Sequence, residues 1–245
     1  SNEIKEDQTN ILVGIKGSDG YVDKHVSKNY TLKTSGLYDK LDSYLLASDN
    51  GTITVLGKDT DAAFYGITSL YHIFNQMDSY SIRNFVMEDY ADVASRGFIE
   101  GYYGNPWSTE DRSELMKWGG YYKLNSYFYA PKDDPKHNSK WRELYSDEEI
   151  ETKIKPLAQA GNESKCRFVF ALHPYMNNAI RYNSEENYQA DLKVMQAKFA
   201  QVIEAGVRQI AILADDAGNV GGDNYIKTLK DMTAWIKEMQ KTYPD

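Results

Sequence analysis

Four nearly continuous apolar runs mark the second part of the chain: Gly97 to Tyr102, Leu124 to Ala130, Cys166 to Leu172 and Gln209 to Ala214. Between and after them, apolar positions recur at helical spacing near Ser108–Tyr122, Asp147–Ala160, Asn187–Ala205 and Asp223–Lys241. A strand–loop–helix rhythm repeated in this way predicts a parallel sheet, whose strands are apolar throughout because both faces are covered. The first ~90 residues follow another rhythm, that of a small mixed domain. Ile11 to Ile15 is strand-like, and Ser43–Ser48 and Thr52–Leu56 flank Asp49-Asn50-Gly51. Asn-Gly accepts the positive φ of a tight turn, so this segment predicts a hairpin. One helix follows, capped by Asp59 or Thr60, with Ala63, Ile67, Leu70, Tyr71 and Phe74 on one face. A last strand is expected near Ser81–Val86, with Glu88 to Asp92 as a connection.

The fold class is therefore α/β, with a small α/β domain over residues 1–92 followed by the first half of a (β/α)8 barrel over residues 93–245. A complete barrel takes about 250 residues and eight βα units. Four units are present here, so the barrel is expected to be truncated, and the first domain to be incomplete at its N-terminus. The open first and fourth strands carry an expectation of self-association.

The 245 residues include 28 Lys+Arg against 36 Asp+Glu, a formal net charge of -8, which disfavours nucleic acid as a partner. No run reaches the roughly 18 consecutive apolar residues of a membrane span. The single cysteine, Cys166, excludes an internal disulfide and sits in an apolar run as an expected core thiol. Twenty tyrosines suit carbohydrate, since each offers an apolar face and a hydroxyl, although most have ordinary structural uses.

Barrel chemistry collects at the C-terminal ends of the strands, and each run here ends in polar residues. The first ends Glu100-Gly101-Tyr102-Tyr103-Gly104-Asn105-Pro106-Trp107, with two glycines that let the backbone turn and approach a ligand. The second ends Tyr129-Ala130-Pro131-Lys132-Asp133-Asp134, the third His173-Pro174-Tyr175-Met176-Asn177-Asn178, and the fourth Asp215-Asp216-Ala217-Gly218-Asn219. Paired carboxyls suit glycoside cleavage, where one group donates a proton to the leaving oxygen and another stays ionised beside developing positive charge. Taken alone, adjacent acids are more often solvated surface groups. His25, His72, His137 and His173 lack zinc spacing, and His173 reads as a rim residue. Asp215, Asp216 and Asn219 form no calcium loop, and the glycines at 218, 221 and 222 no phosphate loop, so neither metal nor cofactor is expected.

Together, Arg96 to Trp107, Leu124 to Asp134 and the Asp215-Asp216 pair resemble glycoside hydrolase family 84, which includes bacterial β-N-acetylglucosaminidases of hyaluronidase type and the eukaryotic O-GlcNAcases. The resemblance spans about residues 90–240. His173-Pro174-Tyr175 is closer to the hyaluronidase-type branch than to the Ser-Pro-Gly of the O-GlcNAcases. It implies a secreted or cell-surface enzyme that removes terminal β-linked N-acetylglucosamine by substrate-assisted retaining hydrolysis, an exception to the enzymic-nucleophile scheme. It further implies that Asp215 orients the 2-acetamido group and that Asp216 is general acid and base. It also implies that Gly101, Tyr102, Lys132 and Asn219 contact the sugar. Truncated to half a barrel, the chain by itself is expected to be inactive; the alternative reading is a carbohydrate-binding or structural module without turnover.

Overall fold

A computed structural model describes residues 4, 5, 7–176, 178–218 and 220–244. The backbone divides into two compact units, residues 1–95 and 96–245.

In the first unit a four-stranded sheet has the order β1 (Asn10–Ile15), β3 (Thr52–Gly57), β2 (Tyr44–Asp49), β4 (Phe85–Asp89). β1 pairs parallel to β3, and β2 is antiparallel to both β3 and β4. The hairpin falls where Asn-Gly predicts it, with Asn50 at φ 43° and Gly51 at φ 77°. Helix α2 (Thr60–Asn75) starts at Asp59, whose side chain accepts from the Ala62 N–H at 2.9 Å. Tyr65 and Leu70 of α2 close over Tyr44, Leu46, Ile53 and Val55. A second helix, α1 (Tyr21–Asn29), puts Val26 against Leu45, Ala47 and Leu56 on the opposite face. It begins at Gly20 without a side-chain cap, so it lacks the start signal that marks α2 in the sequence.

The last strand of this unit differs from the expectation of Ser81–Val86: pairing runs from Phe85 to Asp89 opposite β2. Two acids enter a strand because the fold satisfies them. Glu88 accepts from the backbone N–H groups of Lys33 and Thr34, both at 2.7 Å, and Asp89 accepts from the Tyr44 hydroxyl at 2.6 Å. Those partners lie 55, 54 and 45 positions away.

The second unit is the expected parallel sheet, β5 (Gly97–Glu100), β6 (Ser126–Tyr129), β7 (Arg167–Leu172) and β8 (Gln209–Ile212), in sequential order with four βα units. Its helices are α3 (Thr109–Tyr121), the short α4 (Asp147–Glu149), α5 (Lys155–Ser164), α6 (Glu185–Glu204) and α7 (Gly222–Thr242). Between α4 and α5 a π turn, Ile150–Ile154, interrupts what the sequence pattern reads as one helix. Pro156 explains it, because proline has no N–H to donate to the carbonyl four residues back. No described helix is long and apolar enough to cross a membrane.

Strand register decides what faces the helices. Tyr127 and Tyr129 of β6 and Phe168, Phe170 and Leu172 of β7 join Met116, Trp141, Leu157, Met195 and Phe199 in one core. The Cys166 thiol is buried beside it, and burial pushes its pKa up to about 12. Intervening positions turn to the other face, where register aligns Ile99, Phe128 and Val169.

Lys198 of α6 is fully buried in the core, its Nζ donating to the carbonyls of Lys136 (2.6 Å), Trp141 (3.2 Å) and Glu143 (2.8 Å). It thereby ties down the long segment after β6. Burial disfavours the ammonium and brings its pKa down to about 7, with Asp134 pulling the other way. The unfolded lysine titrates near 10.4, so between about pH 7 and pH 10 the unfolded chain binds the extra proton and stability rises with pH. Urea unfolding should show the wild type gaining roughly 2 kcal/mol between pH 7 and pH 9 relative to Lys198→Met. Parallel pH curves for the two would refute this.

Candidate active site

Period-two alternation brings specific residues to one end of the second unit. Continued past the strand ends, the phase of Ile99 reaches Gly101, that of Phe128 reaches Lys132, that of Val169 reaches His173 and that of Ala211 reaches Asp215. All four lie at the C-terminal ends of parallel strands, where barrel enzymes place their chemistry.

The first strand end is fixed from below. Glu100 is buried and receives a bidentate pair from Arg112 of α3, at 2.8 Å and 2.7 Å, and the Tyr127 hydroxyl also donates to it. This carboxylate is spent on the core. Tyr102 falls in the phase of Glu100, and its hydroxyl is buried; burial and then the Glu100 charge raise its pKa. Its backbone carbonyl, accepting from the Lys132 N–H at 3.2 Å, is what Tyr102 contributes beside Lys132. The sharp turn belongs to Gly104, at φ 115°, and not to Gly101, where an added Cβ would meet nothing nearer than Ile99 Cγ2 at 3.4 Å.

After β6, the two acids serve the loop. Asp133 accepts from the Gly104 N–H, while buried Asp134 accepts from the Tyr129 hydroxyl at 2.6 Å and from the Lys136 N–H at 2.9 Å. Lys132 alone reaches across the rim, where its Nζ forms an ion pair with Asp215 Oδ2. Asn138 holds the Lys132 carbonyl at 3.0 Å, so the cation stands on an ordered loop.

After β7, the His173 ring is fully buried, with Nε2 2.6 Å from the Asp215 carbonyl and 3.1 Å from Asp215 Oδ1. Asp215 therefore has a cation on one carboxylate oxygen and an imidazole on the other. Its pKa is lowered, first by the hydrogen bond from Lys132, with the Lys132 and His173 charges adding to it and partial burial opposing. Asp216, exposed like Asp215, occupies the left-handed region at φ 51° in the turn that follows β8. Aspartate tolerates that conformation better than most side chains.

Of the sequence-predicted site residues, the structure brings Gly101, Lys132, Asp215 and Asp216 to one rim, turns the Tyr102 side chain inward, and leaves Asn219 outside the described residues. The His173–Asp215 contact is absent from the sequence expectations, and only the position of His173 at a strand end pointed towards it. Among the described residues no group of three or more His, Cys, Asp or Glu side chains is arranged to hold a metal ion. The set instead offers one carboxylate held in its ionised form by Lys132 and His173 and a second, exposed one on the adjacent residue.

Comparison with known proteins returns the β-N-acetylglucosaminidase family over residues 96–245. The protein O-GlcNAcase of Rattus norvegicus is 38% identical over 120 residues, which is 49% of this chain and 12% of that protein. Among solved structures, CpGH84D superimposes with a TM-score of 0.90 at 45% identity, over 99% of this chain and 40% of that one. CpGH84B gives 0.74 at 34% identity, over 84% of this chain and 35% of that one. The chain thus spans well under half the length of each of these relatives.

Proposed function

Since the chain belongs to the β-N-acetylglucosaminidase family, we propose that the protein it forms hydrolyses terminal β-linked N-acetylglucosamine from glycans or glycoconjugates, with the sugar's own 2-acetamido oxygen as nucleophile. Asp215 accepts the acetamido N–H and stabilises the positive charge of the oxazoline-like intermediate. Asp216 protonates the leaving oxygen and then takes a proton from the attacking water. Lys132, the Gly101 backbone and Asn219 hold sugar hydroxyls, with Tyr102 supporting them from its main chain.

The asymmetry of the acid pair carries this reading. Lys132 and His173 keep Asp215 ionised and occupied on both oxygens, the condition for an orienting and charge-stabilising carboxylate, whereas Asp216 beside it is exposed at the rim, where a leaving group can reach it. One acid of each kind is what such chemistry requires. Assay of the whole protein on 4-nitrophenyl N-acetyl-β-glucosaminide, with the anomer first formed followed by NMR, tests it. Release of aryl alcohol with retained configuration is the expected result; sugar binding without turnover would favour a binding module.

The His173-Pro174-Tyr175 strand end supports a hyaluronidase-type member acting outside the cell, which fractionation would check. Open edges at β5 and β8 support self-association of this chain. Beside β8 runs an apolar groove of 480 Å³ lined by Phe128, Val169, Ile210, Leu229 and Met232 among others. Light scattering should detect oligomers, and a monodisperse monomer would contradict this.

A further inference from the structure

Among the described residues, His173 is the one fully buried titratable side chain that touches the acid pair. It cannot meet a sugar from that position, so anything it does for the reaction passes through Asp215. Both atoms facing its Nε2, the Asp215 backbone carbonyl and Oδ1, are acceptors. A carbonyl oxygen carries no hydrogen and Asp215 is held in its ionised form, so the proton sits on Nε2. One N–H is therefore shared between the backbone and the side chain of a single residue. That arrangement ties the rotation of the Asp215 carboxylate to its own main chain.

The backbone that carries the ring is itself anchored. The His173 N–H donates to the His137 carbonyl at 2.8 Å, and the next strand is locked alongside by the Leu213 N–H on the Leu172 carbonyl at 2.8 Å. His137 stands perpendicular to it, ring centroids 6.3 Å apart, with its Nδ1 on the Ala171 carbonyl at 2.8 Å. Facing Asp215 from the other side is Lys132 on Oδ2. An ionised carboxylate offers about four lone-pair sites. Lys132 and His173 take one on each oxygen, and the half-exposed side chain leaves the others open at the rim.

We propose that His173 is a positioning residue for the reaction: its Nε2–H fixes the rotamer of the Asp215 carboxylate so that the remaining lone pairs meet the substrate's acetamido N–H. This rests on the substrate-assisted reading above. It extends that reading to a residue that never touches the sugar.

Two variants separate the role from simple packing. His173→Gln keeps an N–H donor at about the reach of Nε2 without an ionisable ring, and His173→Asn keeps polarity with a side chain too short to reach. Orientation losses of this kind cost about 10- to 100-fold. His173→Asn should lose that much in kcat on aryl N-acetyl-β-glucosaminides, by the same factor for good and poor leaving groups, because leaving-group protonation belongs to Asp216. KM should change less, and His173→Gln should recover most of the rate. The charged and titratable groups in contact with the Asp215 carboxylate are Lys132 and His173. With Lys132 intact, the acid limb of the kcat/KM profile should move to higher pH in His173→Asn.

A packing role would lower folded yield, leave the acid limb where it was and leave His173→Gln no faster than His173→Asn, and that outcome overturns the proposal. Direct titration of the Asp215 carboxyl by NMR reads the same contact without turnover. An Asp215 pKa unchanged in both variants overturns the assignment even if the whole protein proves inactive on N-acetylglucosaminides, whereas that inactivity with a shifted pKa would refute only the proposed reaction.

Discussion

Asp216→Asn is expected to lower kcat/KM of the whole protein by about 10²- to 10⁴-fold on N-acetyl-β-glucosaminides with poor leaving groups, the usual worth of general acid catalysis. The structure makes this substitution a clean one. Asp216 is exposed and sits at φ 51°, and asparagine is at least as tolerant of the left-handed region as aspartate. The turn after β8 should survive, and the thermal midpoint should stay within the small range typical of surface substitutions. What is lost is the proton. Aryl glycosides whose leaving group departs without protonation should therefore retain far more of their rate in the first chemical step. Rates measured across a series of substituted phenols check this, and equal loss at every leaving-group pKa would move the acid elsewhere.

The second large effect lies in the substrate. If the acetamido oxygen is the nucleophile, replacing the 2-acetamido group by hydroxyl should abolish turnover, since the enzyme keeps no group of its own to attack. A stable cyclic thiazoline that mimics the intermediate should bind far more tightly than N-acetylglucosamine, as mimics of high-energy species do. Asp215→Asn should weaken that mimic by about 10²- to 10³-fold, the range found when one preorganised charge-stabilising partner is removed. The asparagine keeps the shape but leaves Lys132, whose side chain is only 10% exposed, without its counter-charge. Because Asp215 titrates below the ordinary carboxylate range, its ionised form should persist as pH falls through that range. Mimic binding should then weaken only below it. Calorimetry against pH measures this, and a covalent glycosyl group trapped on Asp215 or Asp216 would overturn the mechanism.

Much of the fold was written locally. Asn50-Gly51 specifies its hairpin because the positive φ values are properties of two adjacent residues. Ser108 and Ser184 cap α3 and α6 through the N–H three residues on, a local interaction, although the sequence pattern places the start of the latter helix only near Asn187. Local signals failed where the decisive partner was remote or a signal was lacking. β4 forms at Phe85–Asp89, against the sequence pattern, because Lys33, Thr34 and Tyr44 satisfy its acids. α1 begins on a glycine without a side-chain cap.

The candidate site divides along the same line. Strand ends carrying Gly101, Lys132, His173 and the Asp215-Asp216 pair could be found from apolar runs and their polar punctuation alone. Three motifs in order also carry the family resemblance, which the match over residues 96–245 bears out. Which acid is held ionised, which glutamate is consumed by Arg112 and where the Tyr102 hydroxyl goes were decided by tertiary structure. Lys132 and Asp215 are 83 positions apart and His173 and Asp215 are 42 apart. Those distances in sequence close only through the register of parallel strands, and a carboxylate's charge state depends on what stands beside it in space rather than along the chain.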